Sequence, residues 1–350
     1  MTHFYILCCR NLIAVKRHLN TLSKADFSIV INTLDSDFKT EAENYCQQEN
    51  ISYYITQSDG TPATGKNSVL DLFLSSDYSH AVLVDGDDFI TPHGIWTYKY
   101  IANMETPPDA LALEYQYGIW RQTGYGGLQY YMEDLTYLGN PYIGCDNKNN
   151  PEKIQGFGTR VFLQDKEWWE RSLKGQQVYI YPNDEYSKNL SEVHQKWMKY
   201  CYKYISEWET HLRVVLFSKK AANLYRYDSD FTIGEDTLMY LNYKDAHVKG
   251  TLTLKHLFDR YPTYVYDTRV KGVVEENKDE INSEGILQDD YGWYLWLKKL
   301  ADKYEQMENE GKLHTNKIDL INDEIVWPEN YVPDVQKLVN YPGKQKIIFN

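Results

Sequence analysis

Three aspartates follow a short apolar segment early in the chain. Residues 82–90 read VLVDGDDFI, which places Asp85, Asp87 and Asp88 around one glycine, Gly86. Carboxylates this close repel one another, and a divalent cation relieves the repulsion because it accepts carboxylate oxygens and commonly bridges them to a phosphate. If the apolar segment is a buried strand, the acids lie at its carboxyl end, where open α/β sheets bind ligands. The motif therefore predicts metal-dependent diphosphate chemistry.

The segments before this motif alternate between strand-like and helical patterns. Strands are predicted at residues 4–8, 27–31, 51–55 and 81–84, and helices at residues 11–22, 38–49 and 66–74. Strands that alternate with helices of this length are typical of βαβ units and a parallel sheet. Right-handed crossovers bring the carboxyl ends of such strands to one edge. The sequence therefore predicts an α/β fold that presents the aspartates at the edge of a mostly parallel sheet.

Further motifs, taken in order with the first, resemble a known family. A Gly-Lys-Asn tripeptide at residues 65–67 precedes a predicted helix and the aspartate motif, and residues 231–238 read FTIGEDTL much farther along the chain. Residues 264–267, YVYD, are a weaker match. In this order the motifs resemble the GT-A glycosyltransferases, family 2 in particular, over about residues 3 to 275.

The resemblance implies a GT-A-like fold, with a Rossmann-like nucleotide-sugar half followed by an acceptor-binding half. We place these halves at residues 1–111 and 112–284, the second with an aromatic-rich insertion, and a C-terminal helical appendage at residues 285–350. The implied activity is inverting transfer of a hexosyl or pentosyl group to a hydroxyl of a saccharide-type acceptor. The implied donor is a nucleotide sugar, with a UDP-sugar expected, and the implied cofactor is Mn²⁺ or Mg²⁺.

The resemblance also implies which residues hold the metal. Asp87 is the principal ligand and Asp85 contacts the metal or the ribose. Asp88 is either a further ligand or the cap of the turn that follows. A histidine beyond the acceptor helix often completes such sites; we select His256, with His247 or no histidine as alternatives.

The Gly-Glu-Asp segment supplies the implied base. An inverting displacement needs one base on the face opposite the leaving group, a role that falls to Asp236, with Glu235 contacting acceptor hydroxyls. The alternative is an ordinary helix start, where the helix dipole favours acids. The implied donor-binding residues are Cys9, Asn32, Asp59, Lys66, Asn67, Asp85 and Gly86, and the implied acceptor-binding residues are Trp120 and Tyr130.

The match has departures from the family pattern. Asn32 and Thr33 stand where paired aspartates usually contact the base and ribose. Lys66 stands where arginine is common, and a lysine acts on a diphosphate as a point charge without the bidentate fork. The nucleotide and the sugar therefore stay open.

Two other functions remain as alternatives. One is a viral-type glycosyltransferase that modifies hydroxylated nucleobases in DNA, and the other is a non-catalytic module that binds a nucleotide sugar or glycan. The net charge of −13 disfavours DNA, since a polyanion would need a focused basic groove. The candidates for such a groove are Lys196, Lys199, Lys203, Lys219 and Lys220. Retention of both acidic motifs speaks against the non-catalytic module.

Composition sets the outer bounds. The 350 residues suffice for one large core with an attached subdomain. Five cysteines without regular spacing favour a reduced protein rather than a disulfide framework. No apolar segment approaches the roughly 18 residues that span a bilayer, and no signal-peptide pattern begins the chain. We therefore expect a cytoplasmic protein, in the host cytoplasm if it is viral.

Overall fold

A computed structural model gives the fold of the chain. It describes residues 1–19, 21–113, 115–119, 130–131, 154–158, 213–231, 234–257, 263–267 and 290–326, together with Lys196, Tyr200 and Tyr204. The strands are β1 (Thr2–Cys8), β2 (Phe27–Ile31), β3 (Tyr53–Ile55), β4 (His80–Val84), β5 (Phe89–Ile90), β6 (Ala110–Leu113), β7 (Tyr115–Ile119), β8 (Tyr130–Tyr131), β9 (Ile154–Gly158), β10 (Arg213–Ser218), β11 (Leu254–Leu257) and β12 (Tyr264–Asp267). The helices are α1 (Ile13–His18), α2 (Ser36–Glu49), α3 (Pro62–Ser75), α4 (Pro92–Ala102), α5 (Lys219–Leu224), α6 (Glu235–Val248) and α7 (Asp290–Asn309).

Seven strands form the main sheet in the order β11-β6-β10-β4-β1-β2-β3. Within it β10 runs antiparallel to β4 and β6, and the other pairings are parallel. β1, β2 and β4 are buried along their whole length, as their continuous apolar sequences require in a sheet covered on both faces. The predicted α/β fold with a mostly parallel sheet and flanking helices is confirmed.

A second sheet of five strands has the order β5-β12-β7-β9-β8. Because β4 belongs to the first sheet and β5 to the second, residues 85–88 lie where the chain passes between the two. The second sheet therefore adjoins the acidic motif. Its strands β7 and β8 lie in a stretch where the sequence shows little periodicity.

Helix α3 begins at Pro62, four residues before the start predicted from sequence. Thr61 caps it, since its side-chain oxygen accepts a hydrogen bond from the Thr64 backbone N–H, and proline is well suited to the first helical turn. Gly65 and Lys66 consequently lie inside the helix.

The C-terminal helix α7 packs into the core of the domain. Its residues Leu300, Tyr304 and Met307 are buried in the cluster that also holds Tyr200 and Tyr204. A Cβ on Gly234 would lie 2.8 Å from a Leu300 methyl group, so the helix presses directly on the start of α6. Within the described residues no helix is both long and apolar enough to cross a membrane.

Candidate active site

The acidic motif forms a tight turn against the end of β1. The Asp88 backbone N–H donates to the Asp85 carbonyl over 3.1 Å, which closes the turn. A Cβ on Gly86 would lie 2.3 Å from the Leu7 carbonyl oxygen, so only glycine permits this close approach of the two backbones. The strand that follows is tied by His18, whose Nε2 accepts from the Ile90 N–H at 3.0 Å. The turn is thus held on both sides.

A buried arginine from β10 lies beneath this turn. Arg213 Nη2 lies 2.5 Å from Asp85 Oδ2 and forms an ion pair with it, although the angles are not those of a hydrogen bond. Nη1 donates a hydrogen bond to Asp88 Oδ2 over 3.1 Å. Its guanidinium stacks 4.5 Å from the centroid of the Tyr264 ring. The Tyr264 hydroxyl donates to Asp88 Oδ2 at 2.7 Å and accepts from the Asp85 N–H at 3.1 Å. Arg213 and Tyr264 therefore both contact Asp85 and Asp88.

The two aspartates respond differently to this environment. Burial raises the pKa of Asp88 well above its usual value, and the charge of Asp87 raises it further while Arg213 opposes the shift. Burial acts on Asp85 in the same direction, but Arg213 and Lys66 outweigh it and hold the Asp85 pKa below its usual value. The pKa values of like-charged acids at short range separate in this way, so of these two carboxyl groups Asp85 is the one that favours its ionised form.

Lys66 joins this motif to the second acidic motif. Its Nζ donates to Glu235 Oε1 and to Asp236 Oδ1, both over 2.8 Å, and lies 3.6 Å from Asp85 Oδ2. The side chain is 2% exposed. Burial opposes the charge of Lys66, but Asp236, Asp85 and Glu235 outweigh it and raise the lysine pKa well above its usual value. Lys66 thus donates hydrogen bonds to two carboxylates and forms a longer ion pair with a third.

The second motif opens helix α6. Gly234 precedes the helix with φ at +86°, a left-handed conformation that glycine adopts without strain. Glu235 and Asp236 occupy the first turn, where the helix dipole favours acids. Burial raises the pKa of Glu235 to about 7 although Lys66 opposes the shift. Asp236 keeps 27% of its side chain exposed, so it is the more accessible acid of the pair.

Asn67 and Asn32, two of the expected donor-binding residues, make contacts within the protein. Asn67 exchanges two hydrogen bonds with the backbone of Tyr227, at 2.9 and 2.8 Å, and so ties α3 to the segment that leads to α6. Asn32 is buried at the end of β2 and donates to Thr56 Oγ and to the Gln57 carbonyl. Both side chains brace the loops around the site.

Asp59 and Cys9 are two further residues expected to bind the donor. Asp59 accepts hydrogen bonds from Thr61 and Thr64 at the start of α3. Burial, and after it the charges of Asp85 and Asp87, raises the pKa of the Cys9 thiol to about 12. Cys9 is therefore a neighbour of the acidic turn and stays protonated.

His256 and His247, the two candidate metal-binding histidines, lie apart from the acidic turn. His256 is on β11, three strands from β4, and its Nε2 is 3.0 Å from the Tyr240 hydroxyl oxygen. At about 4.8 Å a strand, that separation is roughly 14 Å. His247 Nδ1 accepts from the Leu254 N–H at 3.1 Å near the end of α6. The described part of the chain contains no group of three His, Cys, Asp or Glu side chains able to hold a metal ion.

The acceptor-binding predictions fall where little is described. Trp120 lies outside the described residues. Tyr130 is in β8, paired with Gly156 of β9 in the second sheet.

Arg213 and His18 were missed by sequence reasoning. Arg213 had one usable signal, since an arginine opens the apolar strand RVVLFS and a buried charge needs a partner. His18 gave no signal beyond its place in a helical pattern.

Comparisons with known proteins find likenesses only among solved structures. No protein-family model matches the chain, and no curated protein does. Residues 1–349 of S. aureus TarS in complex with UDP are 14% identical over 88% of this chain and 72% of that one, with a TM-score of 0.37. A putative glucose-1-phosphate thymidylyltransferase from Bacillus anthracis in complex with sucrose is 9% identical over 73% and 87%, with a TM-score of 0.33. The inositol-1-phosphate CTP transferase from T. maritima is 11% identical over 82% and 98%, with a TM-score of 0.32. At such low identities and TM-scores these likenesses carry no argument about activity.

Proposed function

We propose that the chain is a metal-dependent, inverting glycosyltransferase that uses a nucleotide-sugar donor, with a UDP-sugar as the expected substrate. The observation that carries the proposal is the Lys66 ammonium, which joins the acidic turn after β4 to the acids that open α6. One group of acids suits a metal–diphosphate, and the other suits a base for an acceptor hydroxyl. Transfer of a sugar from a nucleotide needs both functions within reach of one another.

The oxygens at the turn fit a divalent cation. Asp85 Oδ1 is among the few buried side-chain atoms of the described residues that lack a hydrogen-bond partner, while Oδ2 faces Arg213. Asp87 is the adjoining carboxylate. Mg²⁺ and its relatives are usually held by one or two carboxylates plus substrate phosphates, so a third protein ligand is unnecessary. A cation held by Asp85 and Asp87 would neutralise the charge of the leaving diphosphate.

Asp236 is the proposed general base. It is the more exposed acid of the α6 pair, and Lys66 fixes its Oδ1 over 2.8 Å. Because this contact holds the Asp236 side chain in place, its other oxygen, Oδ2, keeps a fixed direction, which suits proton transfer from an acceptor hydroxyl. Glu235, 6% exposed, stays beneath it as a partner of Lys66.

The proposed acceptor is a saccharide bound by Trp120 and Tyr130. Several lysines that might have formed a DNA groove are engaged elsewhere. Lys196 pairs with Asp302 and Glu305, and Lys219 donates to backbone carbonyls at the end of α3. Replacing Trp120 with alanine should raise the acceptor KM more than the donor KM, because stacking on a sugar ring is lost. Transfer onto hydroxymethylated DNA, with none onto any saccharide, would instead establish the DNA-modifying alternative.

A panel of nucleotide sugars scored for slow hydrolysis with Mn²⁺ tests the function directly. Asp87→Ala should abolish both turnover and Mn²⁺-dependent UDP binding while the protein stays folded, since loss of one acid relieves repulsion in the turn. Asp71→Ala is the matched control, because the Asp71 side chain is 66% exposed on α3 and pairs with Arg226 at the surface. Absence of turnover with every donor would refute the glycosyltransferase, and full activity in excess chelator would refute the metal.

A further inference from the structure

The guanidinium of Arg213 both neutralises and positions the acids beside it. Arg213 is 5% exposed, and the two terminal nitrogens of its guanidinium lie close to two different carboxylates, those of Asp85 and Asp88. A planar fork of this kind fixes direction as well as charge, which a lysine ammonium cannot do. The arginine therefore orients the Asp88 carboxylate through a hydrogen bond and holds Asp85 Oδ2 at 2.5 Å as an ion pair.

Strand β10, which begins with Arg213, has an irregularity beside the arginine. The register of β10 against β6 shifts between Val214 and Leu216, immediately after the arginine. Such bulges bend a strand and re-aim the neighbouring side chain. Tyr264 then covers the guanidinium face with its ring and binds Asp88 with its hydroxyl. The orientation of Arg213 is held by the backbone on one side and by Tyr264 on the other.

These contacts leave one oxygen of Asp85, Oδ1, without a partner. With Asp85 Oδ2 engaged by Arg213 and lying 3.6 Å from Lys66 Nζ, Oδ1 is buried without a hydrogen-bond partner. An unpartnered buried carboxylate oxygen is costly unless a ligand satisfies it. We propose that Arg213 is a positioning residue of the donor site, which holds Oδ2 of Asp85 so that Oδ1 faces the metal–diphosphate. The inference rests on the proposed function and names the group that prepares its metal ligand.

The test is the affinity of the full chain for UDP, measured by calorimetry with Mn²⁺ and again in chelator. Arg213→Lys keeps the charge but loses the fork, so the Mn²⁺-dependent affinity should fall by about 10- to 100-fold, as for other partners of metal ligands. The affinity in chelator should change little. Arg226→Lys is the matched control, because Arg226 pairs with Asp71 at the surface and should leave both affinities unchanged.

A second pair of variants guards against a mere loss of folding. Tyr264→Phe keeps the ring under the guanidinium and removes only the hydroxyl, so it should lower the Mn²⁺-dependent affinity in the same direction by less. Arg213→Ala should regain affinity when guanidinium, but not an equal concentration of sodium chloride, is added below denaturing levels. An unchanged Mn²⁺-dependent affinity in Arg213→Lys would overturn the positioning role while leaving the proposed function intact. Absence of Mn²⁺-dependent UDP binding in the wild type would instead overturn the metal–diphosphate site itself, and the inference with it.

Discussion

The two acidic clusters of the site contrast in how they are held. The cluster after β4 is held by the guanidinium of Arg213, which pairs with Asp85, 22% exposed, and with Asp88, fully buried. The cluster that opens α6 is held by the single ammonium of Lys66, and Asp236 stays partly exposed. A rigid carboxylate suits a metal ligand, whose geometry must not vary, whereas a base must meet an incoming hydroxyl. In the proposed function, the cluster held by arginine would bind the metal and the cluster held by lysine would supply the base.

The largest effect on activity is expected at Asp236, the proposed base of the second cluster. Asp236→Asn keeps the shape of the helix start but cannot take up a proton, so kcat should fall by roughly 10²- to 10⁴-fold. UDP affinity should stay close to the wild-type value, since the residue serves the acceptor side. Steady-state kinetics with calorimetry for UDP would check both. A mutant with near-normal turnover would make Asp236 a simple helix-start acid.

Lys66 tests whether the two clusters depend on one cation. Lys66→Met leaves Glu235 and Asp236 buried or half-buried without their ammonium, and breaking a buried ion pair from one side costs about 3–5 kcal/mol of unfolding free energy. Urea denaturation would measure the loss. If Lys66→Met is as stable as the wild type, the ammonium is not what holds the clusters together.

The buried acid of the second cluster should make stability depend on pH. Burial raises the pKa of Glu235 from 4.5 to about 7 in the folded protein, so its contribution to stability is full below pH 4.5 and is lost as the pH rises through 7. Relative to Glu235→Gln, the wild type should therefore lose on the order of 3 kcal/mol of unfolding free energy between those limits. Denaturation curves at several pH values would show it. Parallel pH profiles for the two proteins would mean that Glu235 titrates normally.

The smallest effect is expected at a surface ion pair that lies outside the comparison. Lys196 is 37% exposed and pairs with Asp302 and Glu305 on α7. Exposed pairs contribute little because water and salt screen them, so Lys196→Ala should change the unfolding free energy by at most about 1 kcal/mol. A loss as large as that of Lys66→Met would show that burial is not what distinguishes the two lysines.

Much of the donor half follows from local sequence. The strand that precedes Asp85 is predicted at residues 81–84 and lies at His80–Val84, because a short apolar segment rich in β-branched valine favours a buried strand. The helices near it were predicted less well at their ends. α3 begins earlier because Thr61 caps it, a contact between residues three apart that the apolar periodicity does not reveal.

The sequence by itself determined the alternation of strands and helices, the acidic turn and the acids that open α6, since each follows from residues close together in the chain. The partners of those acids were decided only by the tertiary structure. Lys66 meets Asp236 across 170 positions, and Arg213 meets Asp88 across 125. The antiparallel insertion of β10 beside β4 brings Arg213 there, and no local pattern specifies which strands become neighbours. Burial then sets the charges of the acids, because a carboxylate's pKa depends on the side chains packed around it rather than on those beside it in the chain.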